Sequence, residues 1–381
     1  MKNTEEDFKT PGQLIQHLIS TRGWTQRVLA IILNADETGI NKIILGKRSV
    51  DAEMSLLLGK IFDIPAEKFL ELQKSYDLAK ARITLRNDPD LAARAHLFGD
   101  LPVGEMIKRG WLDADNIRDV PKAEAALAKF FGVDSPSEIE IFPHAAKKTN
   151  IATAATPTQL AWIYRVRQIS REMIVGQYSK SKGIAAIKKL DALLSAPEEI
   201  RKVPRILAES GIRYVIVESL KSAKIDGVCF WLNNTSPVIG MTLRHDRIDN
   251  FWFVLRHEME HVLRLHGRNA VMLDTELEGE RAGTGSNVSD EERLANAAAE
   301  NFCVPKNDLD SFIERKAPFF PNRDIIGFAN TLQIHPGLIA GQLQHRIGRY
   351  DRFRNHLVKI RHIVAPNAIV DGWGDVAPVE I

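Results

Sequence analysis

The run FWFVLRHEMEHVLRLHG, Phe251 to Gly267, constrains this chain more than any other stretch. It is largely apolar and helix-like, and it carries the pattern His257-Glu258-x-x-His261. Residues four apart in a helix stand one above the other on the same face, so the two imidazoles can aim at one cation. Glu258 lies one residue round the helix, within reach of a water held there. A catalytic zinc keeps three protein ligands and an open position for water, whose pKa falls to about 7. A carboxylate base then takes the water's proton as it attacks a carbonyl. The spacing alone arises by chance roughly a few times per hundred chains of this composition, so histidines on an ordinary surface helix are the competing reading and the surroundings must decide.

A second segment, SDEERLANAAAENFCVP, offers the third ligand. Ser289 is placed to cap a helix, Glu292 three residues on completes a capping box, and Pro305 ends the run. Glu292 is also the best candidate ligand. Glu291 and His266 compete for that role, although His266, five residues past His261, points off the metal-facing side and suits a supporting or exposed position.

The rest of the chain supplies the setting. GQLIQHLIST, TQRVLAIIL, DETGINKIIL, DAEMSLLLGKIF and AEKFLELQKSYDLAKAR have apolar residues at helical spacing, which predicts five short helices with a three-residue turn between the second and third. Such a series is a helix-turn-helix arrangement. RYVIVESL, GVCFWLN and SPVIGMTLR are short β-branched or aromatic runs bounded by Gly, Asn and Pro, which predicts three strands. The fold class expected is mainly α with a small β-sheet (α+β). Its parts are a helix-turn-helix domain over 1–82, a helical linker over 83–203, a zinc-peptidase-like domain over 204–317, and a helical extension with a loose tail from Val364 over 318–381.

Composition narrows the classes. The chain has 381 residues, 44% hydrophobic and 26% charged, which suits a soluble globular protein with real cores. A net charge of +2 argues neither for nor against nucleic acid. Two cysteines exclude a disulfide framework, so a reducing, cytoplasmic setting is expected. The polar start MKNTEEDFK lacks the apolar core of a signal segment, and no run is long and apolar enough to span a membrane. Basic stretches between Ala146 and Leu190 and from Leu343 to His362 contrast with an acidic loop from Asp274 to Glu292; solvated helix faces account for them as well as contact with DNA or an acidic partner.

HEMEH followed by ERLANAAAENFCVP resembles the ImmA/IrrE family of zinc metallopeptidases. The resemblance implies Zn2+ held by His257, His261 and Glu292, with Glu258 as general base and Asn296 and Pro305 on the following helix positions. Glu260 stands where that family usually has Gly, adding a charge near the metal. Ala298 stands where it usually has Phe, leaving volume to be filled.

The N-terminal module resembles the Xre-type helix-turn-helix of the HigA antitoxins through Gly23-Trp24-Thr25-Gln26, Gly46-Lys47-Arg48 and the LQKSYD segment. That implies operator DNA as partner and a homodimer reading two half-sites. Thr25 and Gln26 would meet phosphate at a helix N-terminus, Lys42, Lys47 and Arg48 would supply counter-charge, and Thr38 and Asn41 would face base edges beside Asp36 and Glu37. Two acids at the start of the recognition helix, and 12 Lys/Arg against 11 Asp/Glu through Arg82, keep open an Xre-like fold used for partner binding. The resemblance therefore implies an antitoxin-type transcriptional regulator with a peptidase-like domain that cuts a repressor-like protein, or the chain itself near TNIATAATPTQ. The alternative is a non-enzymatic protein that holds a toxin or other partner, with the zinc fold as scaffold.

Overall fold

Along β1 (Arg213–Val217) successive side chains leave on opposite faces of the sheet, and the two sets enter different cores: Tyr214 and Ile216 one, Val215 and Val217 the other. A computed structural model describes residues 8–84, 91–139, 155–268, 270–275 and 289–371. The chain divides into two units, Met1–Pro89 and Asp90–Ile381. The fold is mostly helical with one small mixed sheet, as the α+β expectation required. Among the described residues no helix is long and apolar enough to cross a membrane.

The first unit holds α1 (Pro11–Thr21), α2 (Gln26–Ile32), α3 (Glu37–Ile44), α4 (Ala52–Phe62) and α5 (Ala66–Thr84). Thr10, Thr25, Asp36 and Asp51 cap the first four, each accepting a bond from a backbone N–H three residues on; such caps are worth about 1 kcal/mol each. Leu14, Ile15, Leu29, Ile40, Leu58, Phe62 and Phe69 fill one core. The LQKSYD segment closes it: buried Gln73 accepts from the Val50 N–H at 3.0 Å, and Tyr76 packs against Gly46, whose φ of +66° suits a residue without a Cβ.

The second unit is built on a sheet of order β4-β2-β3-β1-β5, comprising β1, β2 (Ile225–Trp231), β3 (Pro237–Met241), β4 (Met272–Thr275) and β5 (Ile369–Asp371). Strands β1 and β5 pair in parallel, as do β1 and β3, while β2 runs antiparallel to both β3 and β4. Two of these strands correct the sequence expectation of three. Met272–Thr275 opens the supposed acidic loop as a strand, and Ile369–Asp371, expected in a loose tail, pairs with β1, with Asp371 bonded to Arg165.

Helices cover both faces. On one lie α6 (Leu91–Asp100), α7 (Val103–Lys108), α8 (Val120–Phe131) and α9 (Pro157–Glu172), whose Leu97, Met106, Leu127, Phe131, Trp162 and Val166 meet Val215, Val228 and Val238. On the other lie α10 (Lys180–Asp191), α11 (Val203–Ser210), α12 (Ile248–Leu263), α13 (Asp290–Cys303), α14 (Lys306–Lys316), α15 (Asn322–Leu332) and α16 (Pro336–Ile347). Residues 91–139 and 155–202, taken from the sequence as linker, thus contribute to both cores of the sheet unit. The TNIATAATPTQ segment falls mostly outside the described residues, as does 276–288.

Candidate metal centre

α12 is buried along nearly its whole length, from Ile248 to Leu263, between the sheet and its neighbouring helices. Gly341 on α16 allows this closeness, since a Cβ there would stand 2.2 Å from Asp249 Oδ2. Asp249 is in turn held by Arg247, whose Nε donates to Oδ1 at 3.0 Å. His257 and His261 therefore face each other in a rigid setting, both fully buried, with their Nε2 atoms 3.0 Å apart.

Two carboxylates close on that pair. Ser289 caps α13 by accepting from the Glu292 N–H at 3.2 Å, but the Glu292 side chain does not return to the cap. Its oxygens lie 3.2 Å from His257 Nε2 and 3.5 Å from His261 Nε2. Asp274, on β4 where the sequence predicts a loop, brings Oδ2 to 3.3 Å from His257 Nε2 and 3.9 Å from His261 Nε2. The four ligand atoms lie within 4.8 Å of one another.

Register explains how Asp274 reaches the centre. It pairs with Gly227 across β2 and β4, so its side chain leaves on the α12 face, as Met272 does, while Leu273 goes to the other core. Gly227 serves a second purpose. A Cβ there would stand 2.0 Å from Glu258 Oε1, so the glycine is the space in which Glu258 lies. Glu258 is fully buried and, among the described residues, neither of its oxygens meets a hydrogen-bond donor.

The donor set fits a metal ion. Two imidazole nitrogens and two carboxylates suit zinc. Ligands about 2.0–2.1 Å from one zinc at tetrahedral angles stand about 3.3 Å apart; five separations among these four side chains run from 3.0 to 3.9 Å. Among the described residues, Asp274 Oδ2 is buried without a well-aligned hydrogen bond, as expected of an oxygen shaped for a cation.

The electrostatics are those of a site short of positive charge. Burial works against a charged His257, yet Asp274 and Glu292 outweigh it and raise the ring to about 10. Burial, with His257 and His266 adding to it, pushes His261 down to about 4 although Asp274 opposes. Burial and the neighbouring Asp274 and Glu292 carboxylates hold Glu258 well above the usual carboxylate range.

The remaining sequence candidates take supporting places. His266 Nδ1 lies 2.9 Å from His261 Nδ1, on the ring edge away from the cluster, and its Nε2 is 3.8 Å from Glu291. With His261 Nε2 kept as a lone pair, Nδ1–H donates to His266, which fixes tautomer and ring plane. The turn carrying His266 is itself tied to β2, because Trp231 Nε1 donates to its carbonyl at 2.8 Å. Glu260 lies between Arg256 at 2.8 Å and Arg264 at 2.6 Å, which offset the extra charge it brings near the cluster. Near Ala298, Phe302 one turn on packs at 6.3 Å against Trp252.

In the first unit Thr38, Asn41 and Lys42 share an exposed face of α3, and Lys47 and Arg48 follow it, also exposed. The Thr25 hydroxyl accepts from the Val28 N–H at 3.3 Å, and half-buried Gln26 is 3.4 Å from Gln16. Asp36 is spent on its cap, accepting from the Gly39 N–H at 2.6 Å; a Cβ on Gly39 would stand 2.9 Å from the same carboxylate. Asp36, one of the two acids that open α3, is therefore a capping residue, and Gly39 leaves room for it.

No family model and no curated protein matches this chain. Among solved structures it is similar to an addiction module antidote protein of the HigA family from Coxiella burnetii, 26% identical over 20% of this chain and 92% of that one, with a TM-score of 0.17. A likeness that slight carries no structural argument.

Proposed function

We propose that the sheet unit is a zinc-dependent peptidase and that the N-terminal unit binds operator DNA, making the chain an antitoxin-type regulator. One observation carries the enzymatic part: His257, His261 and Glu292 converge, with the buried, donor-less carboxylate of Glu258 beside them. His257, His261 and Glu292 would hold the ion, and zinc when bound supplies Lewis-acid activation of water and carbonyl.

Glu258 does the proton work. It would take a proton from the attacking water and pass it to the leaving amine as the peptide C–N bond breaks. His266 would keep His261 in the tautomer that presents Nε2 to the ion. The substrate would be a repressor-like protein. Glu258→Gln tests the reading: metal content stays near one per chain while peptide cleavage falls by about 10²–10⁴. Unchanged cleavage, or loss of the metal, would count against it.

The DNA part is supported by the exposed row of Thr38, Asn41 and Lys42 with Lys47 and Arg48 beyond it. Thr25 and Gln26 sit at the N-terminus of the preceding helix, where backbone N–H groups suit phosphate. Two copies on two half-sites is the expected arrangement. A second reading, a metal centre serving only as scaffold for a toxin or other partner, is favoured by Asp274, because a fourth protein donor leaves no open position.

A further inference from the structure

Asp274 meets the cluster from a direction unlike the other three donors. His257, His261 and Glu292 come from two helices, α12 and α13, that pack closely along the site. Asp274 comes from β4, a four-residue strand at the sheet edge, antiparallel to β2 and interrupted by a register shift between Ile225 and Gly227. Such an edge strand is the least secured part of a sheet. The outer edge of β2 is also where an extended peptide would add antiparallel, by main-chain hydrogen bonds, to pass over His257 and Glu258. β4 already occupies that edge, and it delivers an oxygen to the imidazoles where a substrate carbonyl would have to come.

We propose that β4 is a built-in stand-in for substrate, with Asp274 as a displaceable fourth ligand, so that the resting centre is closed and opens when an extended peptide replaces β4 on β2. The inference rests on the metal-centre reading above. It reconciles four donors with a catalytic carboxylate: Gly227 opposite Asp274 leaves Glu258 in place behind the latch, so the base is ready before the site is open. The three helical donors are sufficient to keep the ion when β4 leaves.

The test uses the full chain reconstituted with Co2+, whose visible absorption reports coordination, and acetohydroxamate as the probe of an open position. Asp274→Ala is expected to retain one cobalt per chain, to change the wild-type spectrum, and to bind acetohydroxamate at least tenfold more tightly than wild type. Leu273→Pro, which breaks β4 but leaves the aspartate, is expected to behave likewise. Loss of cobalt from Asp274→Ala would make Asp274 a permanent structural ligand and overturn the latch. Equal probe affinity in wild type and variant, or none in either, overturns it as well. A wild-type chain that takes up no cobalt would instead bring down the metal-centre reading itself, and the latch with it.

Discussion

Gly227 and Glu258 share one volume: the Glu258 carboxylate lies where any other residue at position 227 of β2 would carry its Cβ, which would stand 2.0 Å from Oε1. The relationship links a strand to a helix that follows it by some thirty residues, and it sets the direction of the Glu258 carboxylate independently of His257, His261 and Glu292. Gly227→Ala should therefore act like a mutation of Glu258. Cleavage is expected to fall by about 10²–10³, while metal content, measured by elemental analysis, stays near one per chain. Retained cleavage would show that Glu258 works from another rotamer.

His266 holds His261 from behind through the 2.9 Å Nδ1 contact. Removing such a partner typically costs 10–100-fold in metal affinity. His266→Ala should show that loss in competition with a chromophoric chelator, whereas Glu291→Gln, 3.8 Å from the far nitrogen and half-exposed, should lose much less. Equal affinity in His266→Ala and wild type would leave His261 oriented by α12 alone.

A bound ion should also stabilise the sheet unit, because two buried imidazoles, the buried Asp274 carboxylate and the half-buried Glu292 carboxylate surround one small volume. A ligand at 100 times its Kd adds about 2.7 kcal/mol, enough to move Tm by several degrees. Adding a chelator should lower one unfolding transition and leave that of the N-terminal unit in place. Identical melts with and without chelator would argue that the cluster holds no metal.

The site was legible in the sequence only as far as its geometry is local. His257 and His261 sit four apart on one helix, so spacing alone sets them side by side. Glu292 had two possible duties, and only the packing of α13 on α12 decides between cap and imidazole. Asp274 depends on strand register, which no single segment contains. A signal was there in VMLDT, since period-two alternation puts Met272 and Asp274 on one face and Val271 and Leu273 on the other. Its shortness and the acidic run after it disguised a strand as a loop. The helices of 91–139 and 155–202 look like linker for a related reason: an amphipathic helix announces an apolar face but not the sheet that covers it.

Tyr178 gives a pH test away from the metal cluster. Burial pushes its phenol up to about 12, and it packs edge-on against Trp231 at 5.4 Å with its hydroxyl donating to the Val262 carbonyl. The folded value is raised above the unfolded one near 10, so its contribution is complete below about pH 10 and is lost as pH rises toward 12. Tyr178→Phe should flatten that part of the alkaline decline in unfolding midpoint relative to wild type. Parallel curves would place the decline elsewhere.

The exposed cations of the N-terminal unit give the DNA reading its sharpest test. Lys42, Lys47 and Arg48 stand beside Thr38 and Asn41 with their charges open to solvent, and each phosphate contact contributes a slope of about −0.9 in log affinity against log salt. Alanine at any one of the three should weaken binding to the upstream promoter alike for all sequences and lower the salt slope by about one unit. Asn41→Ala should instead relax sequence choice, by about 1–3 kcal/mol at one base pair. Asp36→Ala should lower the stability of the unit by about 0.5–2 kcal/mol through its cap, leaving the salt slope unchanged. If the wild-type chain forms no salt-dependent, sequence-selective complex, α3 is a partner-binding helix and the DNA assignment falls.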